Sequence, residues 1–193
     1  MPRPAPQFVL ASASPRRAEL LTAAGFTFDI AHADLDETPL PHESADRYVL
    51  RLAEGKARAV AARFPELAVL GADTTVVVDG HILGKPVDAG EAAAMLRRLQ
   101  GRAHEVLTGV ALVALGRAQV VLETTRVWFA PLTDGEIAVY VATGEAMDKA
   151  GAYGIQGWAA RHVTRVDGSY SNVVGLPVAA VYALLRGLST KLP

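Results

Sequence analysis

A chain of 193 residues that is 51% hydrophobic and 20% charged carries enough apolar material for one core, which excludes a disordered or fibrous polymer and makes residues 1–193 a single domain by expectation. A net charge of −1 leaves no broad basic field for duplex nucleic acid or an anionic membrane, so neither is an expected partner and any anion must be captured locally. The absence of cysteine excludes disulfides, thiolate metal sites and thiol nucleophiles; the apolar stretch before Ser12 is too short for a signal-peptide core or a membrane span, and the expected compartment is the cytoplasm.

In chain order, Phe8 to Ser12 reads as a strand, followed by a helix with Ser14 as N-cap, Pro15 at its first position and Gly25 at its end. Phe26 to Ala33 is a second strand, and Asp34 to Ser44, with two prolines and several acids, is a loop. A long helix runs from Ser44 to about Phe64, its Val49, Leu52, Ala53, Val60 and Phe64 recurring along one face. Leu67 to Val78 is a continuous β-rich run that Asp79-Gly80 turns into Ile82-Leu83. Asp88 with Glu91 has the capping-box pattern ahead of a helix carrying Met95, Leu96 and Leu99 and closed by Gly101. A hairpin joins Glu105–Leu115 to Val120–Phe129 through Gly116, and Thr133 with Glu136 repeats the capping box before Ile137, Tyr140 and Val141, an element that Gly144 ends. After a glycine-rich run from Gly151 to Gly157 come a strand at His162–Val166, an Asp167-Gly168 turn and a closing helix from Pro177 to about Arg186. Hairpins alternating with strand–helix units predict an α/β fold with a mixed twisted sheet and helices on its faces, not a purely parallel doubly wound sheet.

Two segments stand out chemically. In Ser12-Ala13-Ser14-Pro15-Arg16-Arg17 a strand end meets a helix start, where free backbone N–H groups, hydroxyls and guanidinium groups together suit a phosphate; the alternative is a capped helix with two solvated arginines. In Gly71-Ala72-Asp73-Thr74-Thr75 a carboxylate interrupts an apolar strand. Buried and unpaired it would be costly, so it needs a partner, which in an enzyme is often a metal ion or an attacking water and otherwise a structural hydrogen bond. Glu37 adds a second hard oxygen ligand on the acidic loop, and Lys56 and Lys85 add point positive charges. Gly55, inside the long helix, suggests a close approach by backbone or ligand. Gly84-Lys85 is not a P-loop, since Asp79 and Pro86 stand where glycine and Ser/Thr are required, and Gly151, Gly154 and Gly157 miss the dinucleotide spacing. The five histidines show no paired spacing for zinc. Gly109 and Gln156 are candidate pocket residues.

Leu10-Ala11-Ser12-Ala13-Ser14-Pro15-Arg16-Arg17, Asp36-Glu37, Ala53-Glu54-Gly55-Lys56-Ala57, Gly71-Ala72-Asp73-Thr74, Gly84-Lys85-Pro86, Thr108-Gly109-Val110 and the run from Asp148 to Gly157 together resemble, in order and over almost the whole chain, the Maf family of nucleoside triphosphate pyrophosphatases, first labelled septum-formation inhibitors. The resemblance implies a fold like that of the inosine triphosphate pyrophosphatases, with two lobes of one domain around a ligand cleft. It also implies cleavage between the α- and β-phosphates with a divalent metal cation, Mg²⁺ or Mn²⁺, as cofactor. Asp73 matches the family's catalytic proton acceptor; Ser12, Arg17, Lys56 and Lys85 match triphosphate-binding positions; Glu37, with Asp73, matches the metal site; Arg16, Thr74 and Gln156 match positions tied to base specificity. The Asp148–Gly157 run is similar to the branch that hydrolyses dTTP and UTP, with modified pyrimidine nucleotides as a further substrate class. The alternatives are a 7-methyl-GTP pyrophosphatase and a non-catalytic nucleotide-binding regulator of cell division. Ala13, where many members have glycine, is a mild variation. A homodimer, the commonest closed assembly, is the expected oligomer.

Overall fold

The computed structural model describes residues 5–32 and 34–189. Residues 1–4, which belong to the N-terminal stretch considered above, and Ala33, the expected end of the second strand, lie outside the described residues. In chain order the elements are β1 (Phe8–Ala11), α1 (Pro15–Ala23), β2 (Phe28–Ala31), α2 (Ala45–Ala61), β3 (Val69–Val78), β4 (His81–Leu83), α3 (Ala89–Leu99), β5 (Ala103–Ala114), β6 (Arg117–Phe129), α4 (Asp134–Ala142), β7 (Val163–Asp167), α5 (Tyr170–Val174) and α6 (Val178–Ser189). Three 3₁₀ turns, Glu145–Asp148, Ala150–Ala152 and Trp158–His162, fill the stretch between α4 and β7.

The strands form one sheet in the order β2-β1-β3-β5-β6-β7, with β4 paired to β3. β1 runs parallel to β2 and β3, whereas β3–β4 and β6–β7 are antiparallel, so the sheet is mixed as the hairpins and strand–helix units predict. The second strand begins at Phe28, two residues later than expected. Gly25 (φ +82°) closes α1 and the N–H of Phe26 donates back to the carbonyl of Leu21 at 3.0 Å, a Schellman ending that keeps Phe26 in the connection.

Two compact units emerge. One comprises Met1–Asp73, Thr108–Glu123 and Gly175–Pro193, the other Thr74–Leu107 and Thr124–Val174. In the first, strand alternation sorts the apolar side chains cleanly. Phe8 and Leu10 of β1, Leu70 and Ala72 of β3, and Val110 and Leu112 of β5 share a cluster with Leu21 of α1 and Val181 and Leu184 of α6. Val9 and Ala11, Val69, and Ala111 and Val113 face the other way, onto Ala53, Ala57 and Val60 of α2. The helix sits unusually close to the strands beneath it. A Cβ at Gly71 would come within 2.3 Å of the Ala53 carbonyl oxygen, and one at Gly109 within 2.4 Å of that of Val49, so glycine is required where α2 crosses β3 and β5. Gly109 is thereby explained by packing. At Gly55 a Cβ would meet only the tip of the Leu35 side chain on the acidic loop, at 2.9 Å, which a small side-chain shift relieves.

In the second unit α3 packs on α4 and on the 3₁₀ turns, burying Leu96, Leu99, Ile137 and Tyr140. Thr133 makes the full capping box of α4: its hydroxyl accepts from the Glu136 N–H, and the Glu136 carboxylate accepts from the Thr133 N–H at 2.8 Å. Asp88 caps α3 at 2.8 Å from the Glu91 N–H, but the Glu91 carboxylate takes the N–H of Val87 at 2.7 Å instead of that of Asp88, so the box is displaced by one residue. His104 of β5 and Tyr153 are hydrogen-bonded at 2.8 Å and both pack edge-on against Phe129.

Candidate active site

The close seating of α2 on β3 has a chemical result. Gly71 and Asp73 lie two apart on one strand and so face the same way, toward α2, where Lys56 waits one turn from Leu52 and Ala53. The Lys56 ammonium donates to Asp73 Oδ1 at 2.7 Å and pairs with Glu37 Oε1 at 2.6 Å, so one cation bridges two carboxylates. Asp73 is buried and Glu37 half-exposed. Burial pushes the Asp73 carboxyl upward from its ordinary range, opposed by the positive charges of Lys56 and Arg17.

Arg17 completes the constellation from the other side of the strand end. Its Nε donates to the Gly175 carbonyl at 2.8 Å, and its Nη1 donates to the Ala72 carbonyl at 2.8 Å and to Ser12 Oγ at 3.1 Å. Burial of the guanidinium lowers its pKa, with Asp73 as the largest opposing influence. The Ser12 hydroxyl also accepts the N–H of Ser14 at 3.2 Å. Ser14 therefore stands at the N-cap position without capping through its side chain; Ser12, two residues earlier, supplies the bond in the manner of a Ser/Thr turn. The alternative of two solvated arginines does not hold for Arg17, which is buried, while Arg16 is half-buried.

The loop carrying Glu37 is held by residues that sequence reading passed over. The Arg51 guanidinium grips both oxygens of Glu43 at 2.6 Å and donates to the Thr38 carbonyl at 3.2 Å, while the Tyr48 hydroxyl donates to the Glu37 carbonyl at 3.0 Å. The Arg51 fork holds the Glu43 carboxyl well down, to about 2. The only advance signal was the position of Tyr48 and Arg51 in the first turns of α2, immediately after the loop.

The remaining candidates belong to the second unit. Thr74 follows Asp73 along β3. Lys85 is exposed in the segment after β4, and the neighbouring Gly84 carbonyl accepts the Gly151 N–H at 3.0 Å, which ties that segment to the glycine-rich run. Gln156 is exposed on a turn closed by the Gly157 N–H donating to the Gly154 carbonyl at 3.2 Å. Thus Ser12, Arg17, Glu37, Lys56 and Asp73 converge within one unit, and Lys85 and Gln156 lie on loops of the other.

Among the described residues no group of three or more His, Asp or Glu side chains forms an all-protein metal cage. Glu37 and Asp73, already drawn to a shared positive charge, still offer what a Mg²⁺-type ion usually takes from protein, namely one or two carboxylates, with phosphate oxygens supplying the rest. The donor set fits a hard divalent cation.

Residues 7–188 match the family model described as Maf-like protein. The chain is 53% identical over 178 residues to the dTTP/UTP pyrophosphatase of Koribacter versatilis, covering 92% of each, and 53% identical over 189 residues to that of Hahella chejuensis, covering 96% of this chain and 94% of the relative. The dTTP/UTP pyrophosphatase of Symbiobacterium thermophilum is 54% identical over 179 residues, covering 93% and 92%. Among solved structures the Staphylococcus aureus Ham1 protein shares the fold, with a TM-score of 0.53 at 14% identity over 96% of this chain and 99% of that one.

Proposed function

The chain belongs to the Maf-like protein family, and from that premise we propose that it is a nucleoside triphosphate pyrophosphatase acting on dTTP and UTP, modified pyrimidine nucleotides included. The observation that carries the reading is the Lys56 ammonium shared by the Glu37 and Asp73 carboxylates beside the buried Arg17 and Ser12. Water attacks the α-phosphorus, the bond from that atom to the α–β bridging oxygen breaks, and the products are the nucleoside monophosphate and pyrophosphate. Asp73, its carboxyl raised by burial, orients the water and takes its proton. Lys56, Arg17 and Ser12 hold the triphosphate and stabilise the negative charge that collects on the departing pyrophosphate, and Lys85 is assigned to phosphate binding by its place in Gly84-Lys85-Pro86. Glu37 and Asp73 would hold Mg²⁺ or Mn²⁺, which supplies charge neutralisation at the phosphates when bound. Arg16, Thr74 and Gln156 read the base.

The activity is assigned to residues 1–193 as one domain working in the cytoplasm, a compartment consistent with the absence of cysteine; among the described residues no helix is long and apolar enough to cross a membrane. A homodimer is the expected oligomer, checked by light scattering. The deciding experiment measures pyrophosphate release from dTTP, UTP, dCTP, GTP and 7-methyl-GTP with Mg²⁺ and with Mn²⁺. Fastest turnover of dTTP and UTP is expected. Preference for 7-methyl-GTP, or binding of dTTP without turnover, would overturn the assignment.

A further inference from the structure

We propose that Glu145 is a specificity-positioning residue: through its carboxylate and the Tyr140 hydroxyl it fixes the turn that presents Gln156 to the base. The inference rests on the assignment of Gln156 to base reading and goes beyond it by naming what sets the amide in place. All the residues concerned belong to the second unit.

The turn runs from Gly154 to Gly157 with Ile155 and Gln156 at its corners. Ile155 is buried and anchors one corner, leaving Gln156 exposed at the other. The N–H groups that flank the turn feed one acceptor system. The Gly154 N–H donates to the Tyr140 hydroxyl oxygen at 3.2 Å, that hydroxyl donates to Glu145 Oε1 at 3.2 Å, and the Trp158 N–H donates to Glu145 Oε2 at 3.2 Å. Both oxygens of one carboxylate are therefore committed to the two ends of a single turn. Any side chain at Gly157 would push the Glu145 carboxylate off these bonds, since a Cβ there would meet its Oε1 at 1.9 Å.

The anchor is itself immobilised. Lys149 donates to the Glu145 carbonyl at 2.6 Å, and the Tyr140 ring stacks on Trp158 with centroids 5.0 Å apart and planes 12° from parallel. The guanidinium of Arg161 covers Trp158, 4.4 Å from its centroid. Burial of Tyr140, reinforced by the Glu145 charge, pushes its phenol pKa upward, so the hydroxyl keeps the proton it donates. A carboxylate accepts at both oxygens, whereas an amide accepts at one and presents an N–H₂ to the other, so glutamine at this position can hold only one end of the turn.

The test compares wild type, Glu145→Gln and Tyr140→Phe in the full-length chain, with kcat and KM measured separately for dTTP and GTP and folding followed by thermal unfolding. A displaced reading group weakens the interaction with the matching base alone. In Glu145→Gln the KM for dTTP is expected to rise about tenfold and the dTTP-to-GTP ratio of kcat/KM to fall by about the same factor, with kcat changed less than about threefold. Tyr140→Phe, which removes only the relay hydroxyl, shifts the ratio in the same direction by about threefold. Unchanged selectivity in a folded Glu145→Gln chain overturns the inference and leaves the functional reading intact, as does an equal fall for both nucleotides. If that variant does not fold, Tyr140→Phe decides by the same criterion. A wild type that cleaves neither dTTP nor UTP overturns the functional reading, and this inference with it.

Discussion

The first unit places Asp73, Lys56 and Arg17 on regular elements, whereas the second hangs its exposed Gln156 on a turn between 3₁₀ segments. In the first, β3 delivers Asp73 and α2 delivers Lys56, and their separation of 17 residues in sequence closes to 2.7 Å because Gly71 lets helix and strand approach. In the second, no periodic element orients Gln156; a network of one carboxylate, one phenol and two backbone N–H groups does so. On the proposed assignment, charge chemistry is built on a strand and two helices that hold buried ions, and base reading on a polar turn that smaller changes can retune.

That contrast can be broken most sharply at Asp73. Asp73→Asn keeps the strand and some nucleotide binding but is expected to lower kcat about 1000-fold, measured by pyrophosphate release alongside calorimetric nucleotide binding. Near-normal turnover in that variant would mean that the acid on β3 is only a structural partner for Lys56. A Gly71→Ala change tests the seating of α2 directly. It should cost about 3 kcal/mol in urea unfolding, because the added methyl meets backbone and not a flexible side chain.

The second unit has its own buried titratable group. Burial lowers the His104 pKa to about 4, below its unfolded value near 6.5, so the unfolded chain binds the proton first as pH falls. The stability that neutral His104 contributes is therefore complete above about pH 6.5 and lost progressively down to about pH 4, by up to about 3 kcal/mol. Urea unfolding across that range should show this slope, and a His104→Phe chain should flatten it; parallel profiles would sink the argument. The smallest effects separate the two helix starts. Thr133→Ala, which breaks a working cap, should cost about 1 kcal/mol, whereas Ser14→Ala should cost less than about 0.5 kcal/mol, because its hydroxyl makes no cap bond. Equal losses would refute the absence of a side-chain cap at Ser14.

What the sequence disclosed follows the same divide. The alternation in β1, β3 and β5 and the apolar face of α2 were legible because periods of 2 and 3.6 are written in side-chain polarity, and Asp73 was conspicuous as a charge in an apolar strand. Gly71 was not legible as a crossing point, since glycine inside a strand can equally mark a bulge, a bend or a close approach. The pairing of Lys56 with both Glu37 and Asp73 was not legible, because it depends on how a loop folds back over α2 under the hold of Tyr48 and Arg51. Nor were the 3₁₀ turns and the short α5, which lack the length for a periodic signal. The tie between Glu145 and Trp158 links a carboxylate to a backbone N–H 13 residues away, and a backbone donor leaves no trace in residue type.

The chain passes from one unit to the other after Asp73, Leu107, Glu123 and Val174. No single cut can therefore release either unit as a continuous fragment, and a truncated gene would encode neither of them whole. Three of those passages fall inside the strands β3, β5 and β6, so each unit holds part of each of these strands. Melting should accordingly be all-or-none, and limited proteolysis should give either the intact chain or small peptides, with no resistant half in between.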